Sequence, residues 1–449
     1  MDAILRTIKK LIPTRLFKAV IPAYHWFLTF LAALIYRFPS HKIFVVGLVG
    51  TKGKTTTAEI ISAIFEEAGY QTAVSSSLRF KIGKESEENK LKMTMPGRFF
   101  MQKFLRKAVK AKCQYAIIEM TSQGAIQYRH KFIKMNALIF TNISPEHIEA
   151  HGSFENYREA KLSLFKALEK SGEKHKIIIA NEDDSEATHF LNFKVEEKIK
   201  FGLKELESYN LDKDNIDFVM DGEKIHSKLS GKFNLYNILG AVAFAKSQNI
   251  GIQTIKSALA KFSGVGGRVE FITLDSAGEG TDISNSVDKT ANPNSTSGTG
   301  KQDFRVIVDY AHTADSLEKL YEVFQDSKKI CVLGSCGGGR DKWKRPEMGK
   351  VASKHCDKII LTNEDPYDED PKAIVNDVAS GIGDGGYEII MGRKEAIAKA
   401  IQSAETGDTV LITGKGCEPW IMGPKGTKIA WDDREAAREE LKKRAERRK

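Results

Sequence analysis

The stretch from Lys42 to Gly69 constrains this chain more than any other. KIFVVGLVG is an apolar run of strand length, and TTTAEIISAIFEEAG has helical spacing and stops at Gly69. Between them stand Gly50-Thr51-Lys52-Gly53-Lys54-Thr55. Glycines at such a place let backbone N–H groups converge at a helix N-terminus, where the helix dipole favours an anion. Lys54 adds a cation, and the Thr55 hydroxyl adds a hard oxygen donor. Strand, glycine loop and helix together are the setting of a phosphate-binding loop. The spacing departs from G-x-x-x-x-G-K-[ST], because the first glycine of that pattern would fall on Leu48.

A chain of 449 residues needs more than one domain. YAIIEM and ALIFTNI read as further buried strands, so the first part is a mostly parallel α/β sheet. After Gly264 the texture changes, and residues 275–303, almost free of large apolar side chains, read as a flexible insertion. FRVIVDY, KKICVLG, KIILTNE and TVLITG then restore the strand–helix rhythm of a Rossmann-like unit. The expected fold is α/β: a P-loop ATPase domain with a mostly parallel sheet, followed by a Rossmann-like C-terminal domain. The expected boundaries are 1–42, 43–263 and 264–449.

The net charge of +10 sits at the two ends, leaving residues 43–433 neutral, so a nucleic-acid groove is not expected. Five scattered cysteines without a C-x-x-C pair favour a reducing cytoplasm over a disulfide scaffold. Residues 16–36 are strongly apolar but include Lys18, Pro22 and His25, and the uninterrupted part is short of the roughly 20 residues a spanning helix needs. They form either a helix packed on the next domain or, with Arg6, Lys9, Lys10, Arg15, Arg37 and Lys42 around them, a peripheral contact at the inner membrane surface. The last 16 residues read as a charged, solvated helix.

Further motifs follow in order. They are EMTSQG with Gln127 and Arg129, TNISPEHIEAHGSFENYREAKLSLF, GKFNLYN, GVGGRVE, VDYAHTADSLE, GGGRDKWKRPEMG, EDPYDEDP and GKGCE. Together with GLVGTKGKTTT this series resembles the Mur ligase family over residues 43 to about 435. Within that family it is most similar to the members that add the third residue of the muramoyl peptide. The resemblance implies a ligase of peptidoglycan precursor synthesis that uses ATP and Mg²⁺. A muramoyl-dipeptide carboxylate, UDP-linked or lipid-linked, would become an acyl phosphate and then take up a free amino acid.

The resemblance also implies roles. Lys54, Lys161 and Arg268 would serve catalysis, with Lys161 a metal ligand once carbamylated; by residue type alone a helical lysine is a solvated one. Thr55, Glu119 and His147 would hold metal. Gly50, Thr51, Gly53, Lys54, Thr55, Thr56, Asn237, Arg268, Asp309 and His312 would hold the nucleotide. Thr94, Thr121, Gln127, Arg129, Arg340, Glu364, Asp365, Gly414, Lys415 and Glu418 would hold the two other substrates. Asn234 and Asn237 could equally cap a helix. The family places His where this chain has Cys417, Thr at Met95, and D-N-P-R where this chain reads Glu364-Asp365-Pro366-Tyr367. A neutral tyrosine cannot pair with the extra carboxylate of diaminopimelate, and two acids suit an ammonium, so a lysine-like diamino acid is favoured. Only 42 residues precede the P-loop strand, which leaves no room for the family's UDP-holding domain. A folylpolyglutamate synthase-like ligase and a catalytically silent, partner-binding homologue are the competing readings.

Overall fold

The computed structural model describes residues 14–274, 303–383 and 385–447. The expected insertion at 275–303 falls, apart from Asp303, outside them. The chain divides into two compact units. One comprises Met1–Ser144, Glu155–Leu203 and Leu239–Gly251, and the other Pro145–Phe154, Lys204–Ile238 and Ile252–Lys449. This division does not follow the single 263/264 boundary read from the sequence, because two earlier segments join the second unit.

In the first unit the strands are β1 (Phe44–Val49), β2 (Thr72–Ser75), β3 (Arg79–Ile82), β4 (Glu85–Glu88), β5 (Tyr115–Met120), β6 (Ala137–Phe140), β7 (Ile177–Asn181) and β8 (Glu197–Phe201). They lie in the order β4-β3-β2-β5-β1-β6-β7-β8. All neighbours are parallel except β2/β3 and β3/β4. β1 is buried between β5 and β6, which explains its continuous apolar run. At the far edge the strand Glu85-Ser86-Glu87-Glu88 presents charge, which blunts edge-to-edge pairing. The helices that matter below are α1 (Thr14–Ile35), α2 (Lys54–Glu67), α3 (Arg98–Lys110) and α4 (Phe154–Glu169). α1 packs against α3.

The second unit holds an antiparallel sheet of β9 (Ser208–Leu211), β10 (Ile216–Met220) and β11 (Glu223–Ser227). Its larger sheet is built from β12 (Glu270–Phe271), β13 (Arg305–Val308), β14 (Lys329–Leu333), β15 (Lys358–Leu361), β16 (Tyr387–Ile389) and β17 (Thr409–Ile412), in the order β12-β13-β17-β14-β15-β16. Ile307, Cys331, Leu333, Ile359 and Leu411 face one apolar layer with Leu320, Phe324 and Met348. Val306, Val308, Ile330, Val332 and Ile412 face another with Ile397, Ile401 and Leu441. Alternate side chains thus enter opposite helical layers, so the strands read as unbroken hydrophobic runs. Each fully buried aliphatic side chain contributes about 1.5–3 kcal/mol.

Two expectations are corrected here. Cys331 and Cys356 form a disulfide although 25 residues separate them, because α6 (Lys344–His355), counting α5 as Lys232–Ser247, returns the chain to the strand it left. Spacing along the sequence carries no trace of that return. The charged C-terminal helix is also not merely solvated. In α8 (Asp433–Arg447) the side chains of Asp433, Ala436, Ala437, Glu440 and Leu441 are buried. Asp433 pairs at 2.6–2.7 Å with Arg393, the buried first residue of α7 (Arg393–Ser403).

Candidate active site

β1 delivers the glycine loop at its C-terminal end. Gly50 has no space for a side chain, since a Cβ would lie 2.0 Å from Thr141 Oγ1 and 2.9 Å from the Asn142 carbonyl. Gly53 caps α2 at φ +83°, a backbone region that favours glycine. The loop is fastened to the residues after β6. Asn142 accepts from the Thr51 and Lys52 amides at 2.8 and 2.9 Å. Thr141 Oγ1 and Asn142 Nδ2 donate to the Lys52 carbonyl at 2.8 and 3.0 Å. The TN pair belongs to a motif noted in the sequence, but its part in holding the loop was not foreseen.

Lys54 Nζ donates to the carbonyls of Gly50 and Thr51, each at 2.9 Å. Lys161, from α4, donates to the same Gly50 carbonyl at 2.7 Å and is 2% exposed. Its ammonium lies 4.5 Å from the centre of the Tyr157 ring, whose hydroxyl is 3.1 Å from Thr51 Oγ1. Lys161 is therefore no surface lysine. Two ammonium groups converge on one carbonyl at the loop, a concentration of positive charge suited to phosphate oxygens. Thr56 is buried in the first turn of α2.

Thr55 Oγ1 lies 2.8 Å from Ser77 Oγ. Ser77 donates its amide (3.1 Å) and its hydroxyl (3.5 Å) to Glu119 Oε1. Glu119 is almost fully buried on β5, in register with Leu48 of β1. Ser77, not singled out from the sequence, thus joins Thr55 to Glu119; the available signal was a serine run directly after β2. Two hydroxyls and a carboxylate form the hard oxygen set that suits Mg²⁺ shared with phosphate oxygens. His147 belongs to the second unit, where it caps the short helix Ile148–His151 at φ +59°.

Thr121 caps Ser122–Ile126, its hydroxyl accepting from the Gly124 amide at 3.0 Å. Gln127 Oε1 accepts twice from Arg129, at 3.1 and 2.6 Å, and Arg129 also donates to the Met95 carbonyl. Met95 is buried, and a Cβ on Gly124 would meet its sulfur at 2.6 Å. Thr121, Gln127 and Arg129 are therefore connected through Gly124 and Met95, with Thr94 next in the chain. At position 95 packing has taken the place of a hydroxyl.

In the second unit Asn237 Nδ2 donates to Asn234 Oδ1 at 3.0 Å, and Asn234 Nδ2 to the Ser230 carbonyl at 2.8 Å. Asp309 accepts from the amides of Val269 and Ala311 at 2.8 and 2.7 Å, fixing the turn after β13. His312 lies 2.7 Å from the Tyr310 carbonyl and 3.2 Å from Oε1 of Glu146, the residue before His147. Arg268 sits 4.0 Å over the Tyr310 ring.

Tyr310 donates to Glu418 Oε1 at 3.0 Å, and Lys415 Nζ to Glu418 Oε2 at 2.7 Å. Lys415 is fully buried and also donates to Asp365 Oδ1 at 2.8 Å, an oxygen that further accepts from the Met422 amide. Burial opposes the Lys415 charge, but Glu418 and Asp365 outweigh it and hold its pKa raised. Glu364 is buried, accepts from the Cys336 thiol at 2.8 Å, and has its pKa raised chiefly by that burial. A Cβ on Gly414 would lie 2.3 Å from Glu364 Oε2. Asp365 thus holds Lys415, which is not the substrate ammonium of the sequence reading, whereas Glu364 is buried with its Oε2 lacking a hydrogen-bond partner among the described residues. Arg340, by contrast, is exposed at the end of the glycine loop. Tyr367, at φ +53°, packs where a Cβ on Gly338 would come within 2.6 Å of its ring. Burial pushes the Cys417 thiol up to about 11 against Arg268 and Arg434, so it stays a neutral thiol, as a non-nucleophile should.

Comparison with known proteins agrees with this geometry. The Mur ligase middle domain description matches residues 48–245, and that of the Mur ligase glutamate ligase domain matches residues 268–416. A UDP-N-acetylmuramoyl-L-alanyl-D-glutamate–2,6-diaminopimelate ligase of Syntrophomonas wolfei is 36% identical over 432 residues, covering 92% of this chain and 81% of the relative. A solved structure bearing the same ligase name superposes with a TM-score of 0.57 at 25% identity, covering 89% of this chain and 78% of the other. Folylpolyglutamate synthase of Mycobacterium tuberculosis shares the fold, with a TM-score of 0.65 at 13% identity over 85% of this chain and 91% of its own. With a phosphate loop, a buried lysine beside it and matched family domains in both units, this chain belongs to the Mur ligase family.

Proposed function

We propose that the chain is an ATP-dependent ligase that joins an amino acid to the free carboxylate of a UDP-linked muramoyl dipeptide. A carboxylate oxygen of the acceptor attacks the γ-phosphorus and ADP leaves. The incoming amine then attacks the acyl carbon, phosphate departs, the amine loses a proton and an amide remains. Lys54 neutralises the transferring phosphoryl group, and the loop amides fix its oxygens. Thr55, Ser77 and Glu119 would hold Mg²⁺, which supplies further positive charge at the phosphates when bound. Gln127 and Arg129 orient the acceptor. The observation that carries this reading is the convergence of Lys54 and Lys161 on the Gly50 carbonyl within a family-matched phosphate loop.

The incoming residue in this reading is diaminopimelate, as in the names of the relatives, and not lysine. With Asp365 held by Lys415, the exposed Arg340 is the cation that would grip a carboxylate of the incoming residue. Purified protein given ATP, Mg²⁺, the UDP-muramoyl dipeptide and a panel of amino acids should yield a product heavier by one diaminopimelate residue. A kcat/KM for lysine at least tenfold lower is expected, and equal or better use of lysine would overturn the assignment. Tetrahydrofolate with glutamate, in the same assay, separates the folate-ligase alternative.

A further inference from the structure

α1 is built inside out for a helix on a water-facing surface. Its packed side carries small residues, Thr29, Ala32 and Ala33, all fully buried. The Thr29 hydroxyl reaches the Tyr128 carbonyl at 3.3 Å, and Trp26 and Phe30 set their rings edge-on to Phe132. The side left open carries larger ones: Tyr24, Phe27, Leu34 and Ile35 are 50–56% exposed. A solvated helix puts its polar residues outward, and a contiguous exposed apolar stripe marks an interaction surface.

Basic residues follow that stripe in the chain and stand on the helix packed against it. Arg37, His41 and Lys42 follow it and are exposed. His41 and Lys42 line a crevice of about 540 Å³ together with Lys112 and Lys134, the latter paired with Glu173 at 2.7 Å. On α3, against which α1 packs, Lys103, Lys107 and Lys110 face solvent. Among the described residues no helix is long and apolar enough to cross a membrane. A large-residue apolar stripe on a helix followed by basic residues and packed against a lysine-bearing helix has the physical character of a helix lying in a lipid interface.

We infer that the outward face of α1 is a docking surface for an anionic lipid bilayer, with Phe27, Leu34 and Ile35 entering the interface and Arg37, Lys42 and Lys112 meeting the headgroups. The bordering charge selects a bilayer over an apolar protein partner. This inference stands apart from the ligase reading, because none of these residues serves the reaction.

Flotation of the full chain with vesicles tests it. The protein should float with phosphatidylglycerol/phosphatidylcholine vesicles at low salt and bind pure phosphatidylcholine at least tenfold more weakly. The double variant Phe27→Glu/Leu34→Glu, and separately Lys42→Glu/Lys112→Glu, should each weaken flotation at least tenfold. Both should keep the parent's melting curve and its ligation rate with soluble substrates. Absence of flotation, or flotation indifferent to Phe27→Glu/Leu34→Glu, overturns the proposal. So does self-association in solution that the apolar pair abolishes without any vesicle binding.

Discussion

Lys54 and His130 show how single side chains carry opposite burdens in the first unit. Lys54 is held over the loop by two carbonyls and, in the proposed reaction, neutralises the phosphoryl group. Lys54→Ala should lower kcat by about 10²–10³-fold, the scale seen when one preorganised stabilising group is removed; full activity in steady-state ligation would remove it from the mechanism. His130 lies outside the site residues described above. It is 3% exposed, and burial, with Lys131 adding to it, pushes its pKa down from 6.5 to about 3. The unfolded chain therefore takes up a proton near pH 6.5 while the folded chain does not until about pH 3. Stability is present above 6.5 and is lost as pH falls through that window, on the order of 1.4 kcal/mol per pH unit. Urea midpoints at pH 7.5 and 5 should diverge more in the parent than in His130→Leu, and equal acid sensitivity would show that the imidazole is not the cause.

At the scale of elements, what the sequence made legible depended on periodicity. β1, α2, β5 and β6, with β13, β14, β15 and β17 of the larger second-unit sheet, lie where apolar runs and helical spacing put them, because each is buried on both faces or along one stripe; β12 and β16, partly exposed at the edges, carry no such run. The loop between β1 and α2 was equally readable, since its glycines answer local demands. Ser77 was not, because its role arises only when β2 and β5 stand side by side. The same holds for Cys331 with Cys356. The terminal helix α8 misled through composition: a mean hydropathy this polar hides a narrow seam of Ala436, Ala437 and Leu441 and one buried carboxylate. Asp433 bonds Arg393 at two atoms and accepts from the Trp431 indole at 2.8 Å. Asp433→Ala leaves that guanidinium buried without its partner and should cost about 3–5 kcal/mol in urea unfolding. A loss under 1 kcal/mol would mean that α8 is as solvated as its composition suggests.

For the whole molecule, the division of labour follows from charge. The first unit brings Lys54 and Lys161 to one carbonyl of the loop, joins Thr55 to Glu119 through Ser77, and pairs Gln127 with Arg129; in the proposed reaction the first two groups face the phosphates and the last the acceptor. The second balances Lys415 against Asp365 and Glu418, leaving Arg340 open. Motif order along the chain made this assignment readable as a family resemblance. Which acids remain open to substrate was not readable, because neutralisation of Asp365 by Lys415 joins residues 50 positions apart. The central claim is that the acceptor carboxylate passes through an acyl phosphate. It is tested most directly by labelling that carboxylate with ¹⁸O and analysing the inorganic phosphate released during ligation by mass spectrometry. One ¹⁸O atom in each phosphate is the predicted result; phosphate free of label while amide accumulates would contradict the account.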